Sequence, residues 1–92
     1  MKLEDLPELH RGDLIEIDRE KSLQPGYFIK LIKVPGQESS IDYAPLIMPK
    51  PYFMSETRRE ELSKIQEITV LMKMKDRTSE EAQLINAYLP QQ

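Results

Sequence analysis

The chain has 92 residues, of which 39% are hydrophobic and 32% charged, and its net charge is −3. This length supports one modest core, so we expect a single domain over residues 1–92. The absence of cysteine excludes disulfides and thiolate metal sites, and no apolar run approaches the roughly 20 residues that span a bilayer. The composition is therefore typical of a small soluble cytoplasmic protein that does not enter a membrane.

Three leucines recur at steps of three in the first nine residues, at Leu3, Leu6 and Leu9. This spacing predicts either a short helical turn or lid that packs on the rest of the fold, or a loosely attached amino terminus. His10 and Gly12 then interrupt the pattern and lead into a strand. Both interpretations of the first nine residues stay open from the sequence.

The first predicted strand spans residues 13–19. Ile15 and Ile17 alternate with Glu16 and Asp18, and such period-two alternation is typical of a strand with one buried face. The two carboxylates project from the same face, roughly 6.5 Å apart from the rise per residue. Such a pair could hold a hard cation or act as acid and base, but a solvated strand face is the commoner reason for it.

The second predicted strand spans residues 27–34, after a connection at residues 20–26. The connection contains Pro25-Gly26, which favours a turn because proline presets one dihedral and glycine accepts a positive φ. Residues 27–34 are rich in aromatic and β-branched side chains, and both faces are largely apolar. We therefore expect a central strand that is covered on both sides.

A third strand is predicted at residues 41–48, followed by a proline-rich linker at residues 49–54. Pro45 has no N–H to donate to a strand ladder, so this strand is expected at an edge of the sheet or at a bulge. Pro49 and Pro51 favour an extended backbone in the linker, and extended proline segments with aromatic neighbours are often recognised by partner proteins.

Residues 57–89 predict a helical hairpin. Thr57 with Glu60, and Thr78 with Glu81, match the capping box that satisfies the first free N–H groups of a helix. Apolar residues recur at steps of three and four after each box, as on the buried face of a helix. They are Leu62, Ile65, Ile68 and Met72 in the first helix, and Ala82, Ile85 and Leu89 in the second.

The predicted fold class is α+β, with a small antiparallel three-stranded sheet followed by a C-terminal helical hairpin that covers one face. A curled, SH3-like form of the sheet is the specific version that we favour. Three strands leave an exposed edge, and 92 residues leave little core to spare. Pairing with a second copy would solve both problems, so we expect a homodimer.

The sequence contains no set of residues that predicts catalysis. His10 is the only histidine, and in a chain without cysteine every histidine-assisted nucleophile would depend on it. The three glycines match no phosphate-binding loop. We therefore predict no catalytic residue, no metal site and no cofactor, and we interpret His10 as an exposed loop residue.

The function that we predict is a non-catalytic protein–protein interaction or adaptor module. Its partner would bind the exposed strand edge at residues 41–48, or the apolar residues of the linker. The predicted partner-binding residues are Tyr43, Leu46, Tyr52, Phe53 and Met54.

The alternative is a nucleic-acid-binding regulator that uses a local basic and aromatic patch. The acidic net charge disfavours it. The second predicted helix carries Glu80 and Glu81 and no basic residue, unlike a DNA-recognition helix. The basic residues that would form the patch are Lys30, Lys33, Lys50, Arg58 and Arg59.

Two short runs resemble known families. The run from Arg11 to Ile15 resembles the opening of the MazF-type ribonuclease toxins, which share an SH3-like barrel, but the Arg-Pro pair of that family has only Ala44-Pro45 as a counterpart. The runs Tyr43-Ala44-Pro45-Leu46 and Thr78-Ser79-Glu80-Glu81 are similar to the YolD-like family, in which strands follow the helices. Neither resemblance extends beyond these residues, and we assign no family.

Overall fold

The structure is a computed structural model that describes residues 1–46 and 57–89. Within these two ranges, five strands form one antiparallel sheet in the spatial order β4-β3-β2-β1-β5, and a single α-helix follows the last strand. The strands are β1 (Leu14–Arg19), β2 (Ser22–Ile32), β3 (Ser40–Pro45), β4 (Arg58–Glu61) and β5 (Glu67–Met72), and the helix α1 is Ser79–Tyr88. Three single 3₁₀ turns lie at Leu3–Asp5, Leu62–Lys64 and Met74–Asp76.

The predicted three-stranded sheet with a helical hairpin is therefore wrong. The chain is a small β-rich domain, because residues 58–72, predicted as the first helix, contain β4, a 3₁₀ turn and β5. Leu62 and Ile65 bracket that turn, in which the Ile65 N–H donates to the Leu62 carbonyl. Ile68 then faces Ile17 of β1, and both are buried. A 3₁₀ turn followed by a strand thus reproduces the spacing of three that also fits a helix.

The predicted second helix is present as α1. The Thr78 side chain accepts from the Glu81 N–H, and the Glu81 carboxylate accepts from the Thr78 N–H, so the predicted capping box is confirmed. Ile85 and Leu89 are buried, as expected for the apolar face. They pack on the outer face of the sheet, against Ile29 and Ala44, and we call these four residues the outer core.

The alternation predicted for β1 is also confirmed, since Ile15 and Ile17 are fully buried. The predicted turn at Pro25-Gly26 is wrong. Arg19 pairs with Ser22, so the hairpin turns at Glu20 and Lys21, and β2 already includes Pro25 and Gly26. A carbon added at Gly26 would lie 2.7 Å from the Ala44 carbonyl oxygen, so this glycine permits close packing of β2 on β3.

The sheet is strongly curled. Arg19 at the end of β1 and Glu60 in β4 are 2.9 Å apart, although two strands separated by two others would lie about 14 Å apart in a flat sheet. The segment that joins β4 to β5 crosses the opening, with the Leu62 N–H bonded to Ser39 and the Gln66 N–H to Asp18. The curl encloses a cluster that we call the inner core: Ile15, Ile17, Phe28, Ile41, Tyr43, Leu62, Ile65 and Ile68.

Strand β3 was predicted to lie at an edge of the sheet or at a bulge, and it does not lie at an edge; the irregular register between β2 and β3 falls between Phe28 and Lys30, away from Pro45. It pairs with β2 on one side and β4 on the other, and all six of its residues are buried. Pro45 is its last residue, a position that tolerates a missing N–H. The edge strand β4 has four charged residues, which discourages pairing with another chain. An exposed edge at β3 was one reason for expecting a homodimer, and that reason does not hold in this part of the sheet.

No helix in the described ranges is long and apolar enough to cross a lipid bilayer.

Candidate functional site

The first nine residues form a strap across the open side of the inner core. Met1, Leu6 and Leu9 pack against that core, and Leu3 to Asp5 form a 3₁₀ turn. The Met1 nitrogen donates to the Leu62 and Ile65 carbonyls, at 3.1 and 2.8 Å. The packed turn or lid predicted from the leucine spacing is therefore confirmed, and the loosely attached alternative is wrong.

An apolar groove remains between the strap and β2. Leu3 forms part of one wall and is 38% exposed, while Phe28 and Leu31 form the opposite wall. Lys33 is the charged residue of the lining. The complete lining consists of Leu3, Leu6, Pro7, Leu9, Phe28, Leu31 and Lys33. Concave apolar surfaces with a few polar groups are the usual form of a binding site.

Buried Asp13 anchors the carboxyl end of the strap. Its carboxylate accepts hydrogen bonds from the backbone N–H groups of His10 and Met74, each at 2.8 Å, and from the Lys73 ammonium. Lys73 also donates to the Glu8 carbonyl at 2.8 Å. Burial raises the pKa of the Asp13 carboxyl, but these hydrogen bonds and the Lys73 charge outweigh it and hold the pKa below its ordinary value. Three segments are therefore joined by one carboxylate.

The only histidine belongs to this cluster. The His10 side chain is 59% exposed, with Nδ1 3.3 Å from the Lys73 nitrogen and Nε2 3.6 Å from a Glu8 carboxylate oxygen. Nδ1 lies 4.0 Å from Asp13, whose oxygens already accept three hydrogen bonds. The arrangement fits an anchor for the strap, since Asp13 has little capacity left to orient His10 as a base.

A second, polar pocket lies at the tip of the β1–β2 hairpin. Its lining comprises Arg19, Glu20, Lys21, Ser22, Glu60 and Lys64. The Arg19 guanidinium donates a hydrogen bond to a Glu60 carboxylate oxygen at 2.9 Å, and this bond raises the pKa of Arg19. The buried Tyr43 hydroxyl makes no hydrogen bond of ordinary geometry within residues 1–46 and 57–89, and the Arg58 side chain is close enough to act on it. Burial raises the pKa of the Tyr43 phenol, whereas the Arg19 charge and the Arg58 side chain lower it.

Replacing Tyr43 by phenylalanine should therefore raise the free energy of unfolding by about 1 kcal/mol, because it removes a buried hydroxyl that has no well-formed hydrogen bond within the described residues and keeps the ring in the inner core. Urea denaturation of the two proteins would measure this difference. Tyr88→Phe serves as a control of opposite sign, since the Tyr88 hydroxyl donates to the Pro45 carbonyl at 3.2 Å. A destabilised Tyr43→Phe protein would contradict the expectation.

The predicted partner-binding residues do not meet on one surface of the described chain. Tyr43 is 0% exposed, in the inner core, and Leu46 is half-buried, with its N–H bonded to the Pro25 carbonyl. Tyr52, Phe53 and Met54 lie outside the described residues, as does the whole of the predicted linker at 49–54. The groove residues were not predicted as a binding site. The spacing of Leu3, Leu6 and Leu9 was the feature of the sequence that could have indicated them.

The structure brings only part of the predicted basic patch together: Lys30 and Arg59 flank Asp42 in register across three strands, and so lie on the same face of the sheet. Arg58 and Arg59 are neighbours in β4 and point to opposite faces, because strand side chains alternate. Arg59 forms a salt bridge with buried Asp42 at 2.9 Å, and this bond raises the pKa of the guanidinium. Lys30 and Lys33 are exposed at the end of β2 and beyond it. Lys50 lies outside the described residues.

Glu16 and Asp18 do not belong to a larger cluster of metal-ligating side chains within residues 1–46 and 57–89. No group of three or more histidine, aspartate or glutamate residues there could hold a metal ion. Glu16 and Asp18 are half-buried on the outer face of β1, where they pair with Thr69 and Glu67 of β5. Two carboxylates on an open sheet face do not supply the six or more oxygen ligands of a calcium site.

No protein-family model matches the chain, and neither a curated protein nor a solved structure matches it. Function must therefore be inferred from the surfaces and pockets of the chain itself.

Proposed function

We propose that the protein is a small, non-catalytic cytoplasmic adaptor that binds a partner protein in the apolar groove between the strap and β2. The observation that carries the proposal is the groove itself, whose walls leave Leu3 open to solvent beside Phe28 and Leu31. Fully burying a leucine side chain contributes about 1.5–3 kcal/mol, so covering the 38% of Leu3 that is exposed would contribute about 1 kcal/mol. A short apolar segment would therefore gain binding energy without any rearrangement of the fold.

The lining also defines the chemistry of the partner. Six of its seven residues are apolar and the seventh is Lys33, so a partner segment with two or three apolar side chains and one carboxylate fits best. The strap is tied at both ends, through Met1 to the segment joining β4 and β5 and through Glu8 to Lys73. Such anchoring limits the entropy that binding would cost.

The non-catalytic part of the proposal is supported by the structural role of the side chains that could otherwise act in catalysis. His10, Asp13 and Lys73 contact one another and join the strap to the sheet. The composition without cysteine supports the cytoplasmic location, where disulfides are rare. The groove replaces the predicted docking surface at residues 41–48, because β3 is covered on both edges.

The proposal is tested by affinity capture from cell lysate with three versions of the immobilised protein. Leu3→Glu places a charge in the groove, whereas Leu84→Glu places one on α1, at a side chain that is 72% exposed and outside the groove. The wild type and Leu84→Glu should retain the same partner protein in equal amounts. Leu3→Glu should retain at least tenfold less of it, because a substitution at a binding hot spot costs about 2 kcal/mol of binding free energy. Equal retention by all three versions would contradict the groove as the binding site.

A further inference from the structure

We propose that the polar pocket at the tip of the β1–β2 hairpin binds a phosphoryl group. The pocket shares no lining residue with the groove, so this binding is independent of the adaptor function. Its lining contains three cationic side chains, two carboxylates and one hydroxyl. The pocket therefore carries a local positive charge in a chain whose net charge is −3.

Arg19 supplies the oriented donor. Its Nη1 is held by a Glu60 oxygen at 2.9 Å, and the side chain is 31% exposed, so the guanidinium is fixed while part of it faces the pocket. A guanidinium has five N–H donors in a planar fork, and Glu60 engages one nitrogen. The remaining donors match the spacing of two phosphate oxygens, a geometry that arginine recognises better than lysine does.

Lys21 and Lys64 supply the charge. Both are exposed, both line the pocket, and neither forms a salt bridge with any residue in the ranges 1–46 and 57–89. They come from different elements, since Lys21 lies in the β1–β2 turn and Lys64 ends the 3₁₀ turn after β4. The charge of Lys64 also acts on the Glu38 carboxylate, which does not line the pocket. Two ammonium groups without a salt bridge, beside a fixed guanidinium, favour a doubly charged anion.

One hydroxyl completes the site. The Ser22 hydroxyl lines the pocket and donates to the Arg19 carbonyl at 3.2 Å, a bond that a rotation about one torsion would redirect toward a bound anion.

The two carboxylates set the expected strength. Glu60 is neutralised by Arg19, whereas Glu20 sits in the turn, exposed, and opposes an anion. The lining therefore has a net charge of +1, from three cations and two carboxylates. Solvent screening at an open pocket limits the attraction further. Binding is expected in the millimolar range, on the order of 4 kcal/mol.

Titration with inorganic phosphate at low ionic strength, followed by the backbone amide resonances of ¹⁵N-labelled protein, tests the site. Shifts should saturate at residues 19–22 and 60–64. The Lys21→Gln, Lys64→Gln double variant should bind about tenfold more weakly, while Glu20→Gln should bind about threefold more tightly, because each removes a charge of opposite sign. Lys75→Gln, in the 3₁₀ turn beyond β5, serves as the control and should bind as the wild type does.

Shifts that do not saturate, or a double variant that binds as the wild type does, would overturn the proposal, as would weaker binding by Glu20→Gln. The source of the phosphoryl group is distinguished by a second titration with a single-stranded RNA that has no terminal phosphate. Tenfold tighter binding of the RNA, displaced by phosphate and weakened by salt, would assign the pocket to a nucleic-acid backbone. Binding of phosphate alone would assign it to a small phosphorylated molecule.

Discussion

Replacing Asp13 by asparagine is expected to lower the free energy of unfolding by about 3 kcal/mol, the cost of breaking a buried charge pair from one side. The carboxylate is buried and bonded to Lys73, whose side chain is largely covered. Asparagine keeps one acceptor oxygen but turns an N–H₂ group toward the other donors. Urea denaturation, with the midpoint and slope fitted for each protein, would measure the loss.

The same substitution should change the dependence of stability on pH. The folded pKa of Asp13 lies below its ordinary value of 3.8, so the wild type gains stability from this group at all pH values above 3.8. That stability is lost as pH falls from 3.8 through the lower folded pKa, because the unfolded chain binds the proton first. Asp13→Asn should lack this contribution, and the two stability curves should converge in strong acid.

Asp18→Asn is the matched control, because Asp18 lies in β1, the strand that begins directly after Asp13. Asp18 is half-buried on the outer face of β1, opposite Leu23 and Glu67. Its substitution should change the free energy of unfolding by no more than about 0.5 kcal/mol, as is usual for such surface positions. If Asp13→Asn behaved as this control does, Asp13 would not be the anchor of the strap.

The role of Asp13 could not be predicted from the sequence. Its bonding partners Lys73 and Met74 lie about sixty positions away along the chain, and no local pattern around residue 13 indicates them. The same holds for Tyr43, which was predicted to contact a partner because residues 41–48 were expected to form an exposed strand edge. Its burial follows from the pairing of β3 on both sides, which is decided by distant strands.

Features that were predicted correctly are those whose cause is local. The capping box of α1 involves Thr78 and Glu81, three positions apart, and the alternation of β1 is contained in six residues. At the start of β5 the local sequence patterns conflict. Ile65, just before the strand, and Ile68 within it fit a helical spacing, whereas the consecutive Ile68, Thr69 and Val70 favour a strand. Pairing of Ile68 with Ile17, across about fifty residues, decides for the strand.

Replacing Gly26 by alanine is expected to lower the free energy of unfolding by about 2–4 kcal/mol, in the range of overpacked cores. The added carbon would lie 2.7 Å from the Ala44 carbonyl oxygen, 2.9 Å from Tyr43 Cδ2 and 3.1 Å from Pro45 Cα. Two of these three atoms belong to the backbone of β3, so no side chain can rotate away to relieve the contact. The two strands would have to separate.

Gly36→Ala distinguishes this steric effect from backbone strain. Gly36 has φ of +79°, with no atom within 4 Å of the added carbon, so its substitution costs only the left-handed conformation, about 1–2 kcal/mol. Gly26 has no positive φ. If the space around Gly26 were free, alanine at this position would stabilise the protein by about 0.4–1 kcal/mol, because it makes the unfolded chain less flexible. A larger loss for Gly26→Ala than for Gly36→Ala in urea denaturation would therefore measure the contact of β2 with β3 directly, whereas a gain in stability would mean that the two strands are further apart at this point.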